Sequence, residues 1–528
     1  MLNQQLTEKA KRLINIGNLI EAENILKNLE DKYSIFELAK IRKIQGRNRE
    51  AERLYLKSLS KPSQLKSHID SDINIELGKI YASFGQVEEA EKRYKQGLDR
   101  ISLENNIYRE LGELYSRMMK NEIAKDYLEK AVKMFPDDYK AESTLALIYM
   151  RMGRTDLSKE IFNKLLAKKE IKNNKFVYNQ ILNRYEILMK KEYLESNPRE
   201  MRVTITNKCN IGCRYCDIWK VPDWKLSDER MREIMNYFPY LENMYWLGGE
   251  TFLYKGFEEI LEEGSKYDTL NQTILTNGLL LNERILEKIS KANISLLIAI
   301  DAGTKETYEY LRRGASWEKL CKNLELIREV GQRTNKKIIT TFNATLSRSN
   351  YKEVFDMLEM AHKYDFDRIR FMSILGDSKE NVYLTKDTEM ITYLENVLPM
   401  LENKAKEYNI YMEANGLSLD YKNYNDINVK FVKNNNYHLV KKHNSIKCFE
   451  PYRDIVLDSK GPMRPCVGCH DWLEDSSKLS INDFWNCEGM QFFRKKFSTG
   501  HVCSISYKAS DNGPNDEVSC SSENCWSW

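Results

Sequence analysis

The length of the chain, 528 residues, exceeds what one hydrophobic core usually organises, so we expect two to four domains. The composition is 42% hydrophobic and 30% charged, and no apolar run approaches the roughly 18 residues that a membrane helix needs, which predicts a protein without a membrane partner. The 82 basic and 78 acidic residues are interspersed and form no basic stripe, so we predict no nucleic-acid partner. The first residues have a polar helical pattern without the apolar core of a signal peptide, so we expect a cytoplasmic protein.

Residues 1–170 contain a repeated pattern. Three similar stretches begin 34 residues apart, and two poorer copies precede them, around Gly17 and Gly46. A leucine and a tyrosine recur in phase: Leu77 and Tyr81, Leu111 and Tyr115, and Leu145 and Tyr149. A period of 34 residues is typical of tetratricopeptide repeats, and the pattern resembles that family. We therefore predict an all-α superhelix of five helical hairpins.

Superhelices of this kind have a concave face that commonly holds a peptide or a partner protein. The residues expected on that face are not distinctive here, so substrate docking and a scaffold or dimerisation role are equal alternatives. The next segment, 171–199, is charged and has a helical pattern that Pro198 closes. We predict that it is a helical linker to the following domain.

From residue 200 the pattern changes to short apolar runs that alternate with amphipathic helical patterns. This alternation predicts a parallel sheet wrapped by helices. Six runs are predicted strands: RVTIT, NMYWL, QTILT, ISLLIAI, KKIITTFNATL and RIRFMSI. Six units are fewer than the eight of a full barrel, so we predict an α/β partial (β/α)6 barrel over residues 200–376. In such barrels the chemistry lies at the carboxyl ends of the strands.

Cysteines, glycines and polar residues follow the predicted strands at those ends. They are Cys209, Cys213 and Cys216 after the first strand, Gly248, Gly249 and Glu250 after the second, Thr276 and Asn277 after the third, Asp301 at the end of the fourth, Asn343 late in the fifth, and Arg370 and Ser373 in the sixth. Because the carboxyl ends of parallel strands meet at one edge of the sheet, we expect all of these residues at one rim.

Three cysteines crowd into TNKCNIGCRYCDIW, residues 206–219. Three thiolates from one loop can hold three irons of a four-iron cluster and leave the fourth iron open. A structural zinc ion is the alternative, but it prefers four ligands, and the nearest fourth candidates here are Asp217 and the distant Cys321. The spacing of the cysteines alone favours the iron-sulfur cluster, and a zinc site remains an alternative.

The triplet and the motif after the second strand together resemble the radical S-adenosylmethionine (SAM) superfamily. The resemblance covers residues 200 to about 375 and depends on Cys209-x3-Cys213-x-Tyr215-Cys216 followed by Gly248-Gly249-Glu250. It implies a 4Fe-4S cluster held by the three cysteines, with SAM bound to the open iron. One position departs from the family pattern, because Thr251 stands where a proline usually follows the glutamate.

The same resemblance implies a SAM pocket. Glu250 and the backbone around Gly248 would hold the SAM ammonium group, and Tyr215 would pack on the adenine. Asp301 and Asn343 would lie near the ribose and the carboxylate, although buried polar residues at strand ends can equally be structural. The implied chemistry is one-electron cleavage of SAM to a 5'-deoxyadenosyl radical, which takes a hydrogen atom from the substrate. An electron donor such as flavodoxin or ferredoxin is therefore an expected partner.

The C-terminal part divides into a helical and loop connector, 377–447, and a cysteine-rich segment, 448–528. The cysteine-rich segment resembles the SPASM extension of certain radical SAM enzymes, although its spacing departs from that pattern after Cys503. We predict a small Cys-rich Fe-S domain with one or two auxiliary 4Fe-4S clusters, and a zinc knuckle is the alternative. The predicted ligands are Cys448 and Cys466, two more from Cys503, Cys520 and Cys525, and Cys469 as the best extra ligand.

Two functions fit this sequence. The first is an enzyme that oxidises, crosslinks or epimerises a peptide or protein docked by the repeats. The second is an enzyme that acts on a small molecule such as a sugar or alcohol, with the repeats used only for assembly. A non-catalytic scaffold is a third alternative, which the intact cysteine triplet and Glu250 argue against.

Overall fold

A computed structural model of the chain describes residues 2–62, 69–98, 106–216, 218–373, 387–416, 452–458, 462–465 and 476–498. These residues form two compact units. The first unit holds the described residues up to 161 together with 331–337, and the second holds 162–330 and the described residues from 338 onward. Within these ranges, no helix has the length and apolar character needed to cross a membrane.

The first unit consists of helical hairpins, as predicted. They are α1 (Leu2–Asn15) with α2 (Leu19–Leu26), α3 (Lys32–Ile44) with α4 (Asn48–Ser60), α5 (Ile69–Ser83) with α6 (Val87–Gly97), α7 (Ile107–Arg117) with α8 (Asn121–Met134), and α9 (Tyr139–Arg151) with α10 (Thr155–Ala167), whose last residues belong to the second unit. The second helix of each hairpin packs on the first helix of the next. The prediction of five stacked hairpins is therefore confirmed.

Glycines allow the two helices of a hairpin to approach each other closely. A Cβ atom at Gly78 on α5 would lie 2.5 Å from the ring of Tyr94 on α6. At Gly112 on α7 it would lie 2.5 Å from the side chain of Leu128 on α8. Both distances are far shorter than a normal contact between carbon atoms. Each of these two hairpins therefore requires a residue without a side chain at the glycine position.

The in-phase tyrosines make the same kind of hydrogen bond in three successive hairpins. Each donates its hydroxyl to a glutamate on the second helix of the preceding hairpin: Tyr81 to Glu52 at 2.8 Å, Tyr115 to Glu91 at 2.8 Å, and Tyr149 to Glu129 at 2.7 Å. Burial and the nearby carboxylates raise the pKa of Tyr115 and of Tyr149 to about 12. The sequence period of 34 residues therefore reflects a repeated contact between neighbouring hairpins.

The second unit is built around one β-sheet. Its strands are β1 (Glu200–Thr206), β2 (Asn243–Gly248), β3 (Asn271–Thr276), β4 (Ile294–Ala299), β5 (Ile339–Leu346), β6 (Arg368–Ser373), β7 (Tyr411–Gly416), β8 (Asp454–Leu457) and β9 (Met463–Arg464). Its helices are α11 (Lys169–Asn173), α12 (Lys175–Leu188), α13 (Asp228–Met235), α14 (Phe257–Gly264), α15 (Glu283–Ser290), α16 (Lys305–Leu311), α17 (Trp317–Arg333), α18 (Val354–Lys363), α19 (Thr388–Glu407), α20 (Ile481–Trp485) and α21 (Glu488–Ser498).

The strands described lie in the order β7-β6-β5-β4-β3-β2-β1-β8-β9, and every neighbouring pair is parallel except β8 and β9. The six strands predicted from the sequence are the central ones, β1 to β6. The structure adds β7 beside β6 and β8 beside β1. Both were missed because YMEANG carries polar residues at its end and DIVL is only four residues long, so neither has a clear strand signal.

The two faces of the sheet differ in burial. Residues alternate between buried and half-buried along β2, β3 and β4. The buried set packs with the helices in one core that includes Trp246, Phe342 and Phe371, each 0% exposed. The half-buried set lies on the opposite face of the sheet.

The segment before β1 is anchored within the second unit. Glu186 on α12 is fully buried and accepts hydrogen bonds from the backbone N–H groups of Glu195, at 2.7 Å, and Ser196, at 3.2 Å. The side chain of Asn183 donates to the carbonyl oxygen of Tyr452 at 2.7 Å. Residues 171–199, predicted as a linker, are therefore held by buried hydrogen bonds. The domain boundaries drawn from the sequence remain a proposal.

Candidate active site at the carboxyl ends of the strands

The cysteine loop follows β1 and is folded back by Asn207. The Asn207 side chain is 4% exposed, donates to the carbonyl oxygen of Pro222 at 2.9 Å and accepts a hydrogen bond from the backbone of Trp224. Ile211 and Cys213 point into the hydrophobic core. These contacts give the loop a fixed shape, although it contains no helix or strand up to Cys216.

The end of α16 holds the middle of the same loop. The backbone N–H of Gly212 donates to the carbonyl oxygen of Arg313 at 2.9 Å, and that of Arg214 donates to the carbonyl oxygen of Leu311 at 2.9 Å. These two hydrogen bonds lie on either side of Cys213. The position of the Cys213 thiol is therefore set by a helix that begins after β4.

The three cysteines form no disulfide bonds, and the charges of Cys209 and Cys216 act on Cys213. Burial raises the pKa of Cys213 to about 11, Arg312 opposes this shift, and the charges of Cys216 and Cys209 add to it. Burial also raises the pKa of Cys209, with Glu250 and Cys216 acting in the same direction. The prediction that these three cysteines are the iron ligands of one cluster stays a prediction. Among the described residues, no three His, Cys, Asp or Glu side chains are grouped as for a single metal ion.

Gly248 and Gly249 lie against the backbone of the cysteine loop. A Cβ atom at Gly248 would lie 2.3 Å from the carbonyl oxygen of Thr206, and one at Gly249 would lie 2.4 Å from that of Lys208. The N–H of Gly249 donates to the Thr206 carbonyl at 2.8 Å, and the N–H of Glu250 donates to the Lys208 carbonyl at 2.8 Å. Only residues without a side chain allow the ends of β1 and β2 to come this close.

Glu250 is completely buried and organises the end of β3. Its carboxylate accepts hydrogen bonds from the Thr276 hydroxyl at 2.6 Å and from the Asn277 backbone N–H at 2.8 Å. Burial raises the pKa of Glu250, and these hydrogen bonds lower it. The sequence assigned this carboxylate to the SAM ammonium group, and that assignment stays a prediction.

Asn277 connects β3 to the cysteine loop. Its side chain donates to the side-chain oxygen of Asn210 at 2.8 Å and accepts the backbone N–H of Leu279 at 3.0 Å. The sequence placed Thr276 and Asn277 at the rim and gave neither residue a role. Their hydrogen bonds link the ends of β1, β2 and β3, and the asparagine at position 210 inside the triplet was the available signal.

Asp301, at the end of β4, accepts hydrogen bonds from three other elements. It is 0% exposed and has a left-handed backbone with φ of 62°, which aspartate tolerates better than most residues. Its carboxylate accepts the backbone N–H of Thr345 at 2.6 Å, and also accepts hydrogen bonds from the Tyr215 hydroxyl and the Arg312 guanidinium. Asp301 therefore ties the cysteine loop, α16 and β5 together, and Tyr215 reaches it from the cysteine loop.

Asn343 lies on β5 between Ala299 of β4 and Arg370 of β6. It is 8% exposed, and its side-chain oxygen has no hydrogen-bond partner among the described residues. Burying an unpaired amide oxygen costs about 1–3 kcal/mol, so such an atom needs an explanation. The structure thus leaves one acceptor open at the position that the sequence assigned to SAM.

Sequence reasoning missed Arg312 and Asn350. The Asn350 side chain donates to the backbone carbonyl oxygens of Asp301 at 2.6 Å and Thr345 at 2.9 Å, which fixes the turn after β5. No motif marks either residue, because their partners come from distant parts of the sequence.

The predicted auxiliary ligands lie outside the described residues. These are Cys448, Cys466, Cys469, Cys503, Cys520 and Cys525. Cys487, just before α21, is free and half-buried. The auxiliary clusters therefore remain a prediction.

Residues 203–361 match the model of the radical SAM superfamily. This part of the chain is a radical SAM domain. Residues 106–138 and 143–167 match the tetratricopeptide repeat model, and these ranges cover the last two hairpins of the first unit. The prediction of a radical SAM enzyme domain joined to tetratricopeptide repeats is therefore confirmed.

Curated relatives match part of the chain at low identity. A GTP 3',8-cyclase of Synechocystis sp. is 27% identical over 184 residues, which are 34% of this chain and 54% of that protein. A GTP 3',8-cyclase of Clostridium botulinum is 22% identical over 228 residues, which are 40% of this chain and 68% of that protein. The chain thus spans about half to two thirds of the length of these relatives.

Similar solved structures include SuiB of Streptococcus suis bound to its precursor peptide SuiA, with a TM-score of 0.46 and 16% identity over 67% of this chain and 83% of that one. SuiB bound to S-adenosylmethionine has a TM-score of 0.45 and 15% identity over 64% of this chain and 79% of that one.

The superfamily implies a 4Fe-4S cluster and SAM, and the residues at the rim fit both groups. Three cysteines on one loop, none of them in a disulfide bond, are suitable iron ligands. The close backbone at Gly248 and Gly249 and the open acceptor on Asn343 offer polar groups to a ligand with amino and hydroxyl donors.

Proposed function

We propose that the protein is a radical SAM enzyme that cleaves SAM reductively and takes a hydrogen atom from a peptide or protein substrate. The observation that carries this proposal is the joining of the cysteine loop to the Gly248–Glu250 segment by two backbone hydrogen bonds, at 2.8 Å each. The superfamily motif is therefore assembled in space as well as in sequence. The bond changed in the substrate is an oxidation, a crosslink or an epimerisation.

Cys209, Cys213 and Cys216 hold the 4Fe-4S cluster in this proposal. When bound, the cluster and SAM supply a 5'-deoxyadenosyl radical, which is the difficult step of the reaction. The chain's own contribution is to fix the loop through Asn207 and the end of α16, and to bury the Cys213 thiol. A fixed loop keeps the three thiols at one spacing while an electron enters from a donor such as flavodoxin or ferredoxin.

The SAM pocket is formed by groups from four strand ends. The backbone at Gly248 and Gly249 would hold the SAM ammonium group, and Tyr215, whose hydroxyl donates to Asp301, would pack on the adenine. The open side-chain oxygen of Asn343 would accept a hydrogen bond from SAM. Glu250 and Asp301 are fully buried and have their own partners, so they orient the pocket from behind.

Tetratricopeptide repeats in the same chain support a peptide or protein as the substrate, because these superhelices commonly bind extended chains. The second candidate is a small molecule. Similarity to proteins named GTP 3',8-cyclase favours that alternative, with a nucleotide as the first molecule to test. The C-terminal cysteines, with Cys448 and Cys466 first, are proposed to hold one or two auxiliary 4Fe-4S clusters.

The test uses the full chain reconstituted anaerobically with iron and sulfide. We expect 5'-deoxyadenosine when SAM and a reductant are added, and faster formation when the true substrate is present. Addition of GTP and of a peptide library in separate reactions distinguishes the two candidates, because only the correct class accelerates the product. Absence of 5'-deoxyadenosine from protein with a full iron content would contradict the proposal.

A further inference from the structure

A buried guanidinium lies against the cysteine loop. Arg312 is 5% exposed and uses its three nitrogens on three different partners. Nε donates to the carbonyl oxygen of Ile300 at 3.0 Å, Nη2 donates to the Asp301 carboxylate, and Nη1 lies 3.9 Å from the Cys213 Sγ atom. The guanidinium therefore has a fixed position between the end of β4 and one of the predicted iron ligands.

The backbone on both sides of Arg312 fixes the same geometry. Leu311 and Arg313 accept the hydrogen bonds from Arg214 and Gly212, each at 2.9 Å. The side chain of Arg312 thus enters the core while its neighbours hold the cysteine loop in place. A substitution at Arg312 leaves these two backbone hydrogen bonds available, so it changes a charge without deleting the anchor of the loop.

Two opposite charges act on Cys213 here. Nη1 of Arg312 faces the Cys213 Sγ atom at 3.9 Å, whereas the Asp301 carboxylate bonds to Nη2, so the guanidinium is the charged group in contact with the sulfur. Asp301 also accepts hydrogen bonds from Tyr215 and from the Thr345 backbone, which spread its charge away from the sulfur. The net local field at Cys213 from this pair is therefore positive.

We propose that Arg312 is a positioning residue that raises the reduction potential of the cluster held by Cys209, Cys213 and Cys216. Reduction adds one electron and hence one negative charge to the cluster, and a buried cation beside a ligand sulfur stabilises that charge. Asp301 joins this cation to Tyr215, so the same side chains connect the cluster to the proposed adenine contact. The proposal rests on the proposed function in one respect, that these cysteines hold a cluster.

The test is a potentiometric titration of the reconstituted full chain, followed by electron paramagnetic resonance. The relevant signal is the one that disappears in Cys213→Ala, which separates it from any auxiliary cluster. We expect Arg312→Gln to shift its midpoint to a more negative potential, and Arg312→Lys to restore most of the shift. Arg313→Gln is the matched control, because it removes the same charge from the adjacent, exposed side chain. Water screens that charge, so its midpoint stays at the wild-type value.

An unchanged midpoint in Arg312→Gln, with a wild-type iron content, overturns the proposal. If Arg312→Gln does not fold, the double variant Arg312→Gln with Asp301→Asn removes both buried charges. Its midpoint potential then tests the proposal. A midpoint below wild type in this double variant supports the proposal, and one at or above wild type overturns it. Wild-type protein without a Cys213-dependent signal overturns the proposed function instead, so the two failures are distinguishable.

Discussion

The two units use the same pair of side chains, a tyrosine hydroxyl and a carboxylate, for different purposes. In the repeats, a glutamate carboxylate accepts a hydrogen bond from a tyrosine hydroxyl of the next hairpin, as Glu91 does from Tyr115. The same hydrogen bond recurs along the array. At the rim of the sheet, the Asp301 carboxylate accepts hydrogen bonds from Tyr215, Arg312 and the Thr345 backbone at the same time. A bond repeated at a fixed period indicates architecture, whereas several donors from different strands that meet on one carboxylate indicate a site.

Removal of Cys213 should have the largest effect, and it should affect the site without affecting the repeats. Cys213→Ala removes one of three proposed iron ligands from a loop that Gly212 and Arg214 still anchor. We expect a loss of the SAM-responsive cluster and of 5'-deoxyadenosine formation, with thermal unfolding of the repeats unchanged. Iron analysis and product quantification measure the effect. Cys321→Ala, which alters a half-buried cysteine on α17, is the matched control and should retain both. Full product formation by Cys213→Ala would defeat the assignment of the triplet.

Close packing at a glycine should also have different consequences in the two units. In Gly249→Ala the added carbon meets backbone oxygens at 2.4 and 2.5 Å, so the cysteine loop must move. Displacement by about 1 Å can cost roughly 100-fold in rate, and we expect a loss of that order in 5'-deoxyadenosine formation. In Gly78→Ala the added carbon meets the Tyr94 ring at 2.5 Å. We expect it to destabilise the repeats by about 1–3 kcal/mol in denaturant titrations.

Product formation by Gly78→Ala, measured below its unfolding transition without added substrate, should equal that of the wild type. A fall in that rate as large as the one in Gly249→Ala would mean that the comparison between the two units is wrong.

Removing a single hydroxyl gives a smaller effect in each unit. Tyr115→Phe deletes the hydrogen bond to Glu91 and should cost about 1 kcal/mol of stability, with no change in SAM binding. Tyr215→Phe deletes the hydrogen bond to Asp301, which keeps Arg312 and Thr345 as partners. We expect the affinity for SAM to fall severalfold by calorimetry on the reconstituted protein. Equal SAM affinities in both variants and the wild type would remove Tyr215 from the proposed pocket.

The smallest effect is an alkaline loss of stability in the repeats. Burial raises the pKa of Tyr115 and of Tyr149 to about 12, from an ordinary value of 10.0. The folded state therefore holds these protons more tightly than the unfolded state does. Their stabilising contribution is complete below about pH 10 and is lost as the pH rises towards 12. Thermal unfolding between pH 8 and 11 should show this decline, and Tyr115→Phe with Tyr149→Phe should reduce its slope. An unaltered slope in the double variant would contradict the pKa assignment.

The parts of the fold that were predicted correctly have short-range signals. The 34-residue period predicted five hairpins because each hairpin repeats the same local contacts. Alternating apolar runs predicted β1 to β6 because burial on one face of a strand has a period of two residues. β7 and β8 were missed because their place at the sides of the sheet depends on pairing with β6 and β1. The polar end of β7 and the four-residue length of β8 leave no signal for that pairing in the sequence.

In the candidate site, too, the features with short-range signals were predicted and those that depend on distant residues were not. The cysteine spacing and the Gly248–Gly249 pair were recognisable from a few neighbouring residues. The contacts of Glu250 and Asp301 were not, because Thr276, Arg312 and Thr345 come from other strands and helices. Arg312 was missed for the same reason: its importance comes from burial and from the 3.9 Å distance to the Cys213 sulfur, and neither is visible in a linear motif.

The central claim is that three sulfurs leave one iron open for SAM. The direct measurement is the electron paramagnetic resonance spectrum of the reduced, reconstituted protein before and after SAM is added. The account predicts that the Cys213-dependent signal changes shape on addition of SAM, because the new ligand binds the open iron. A spectrum that SAM leaves unchanged, with zinc bound tightly by the same three cysteines, would contradict the account.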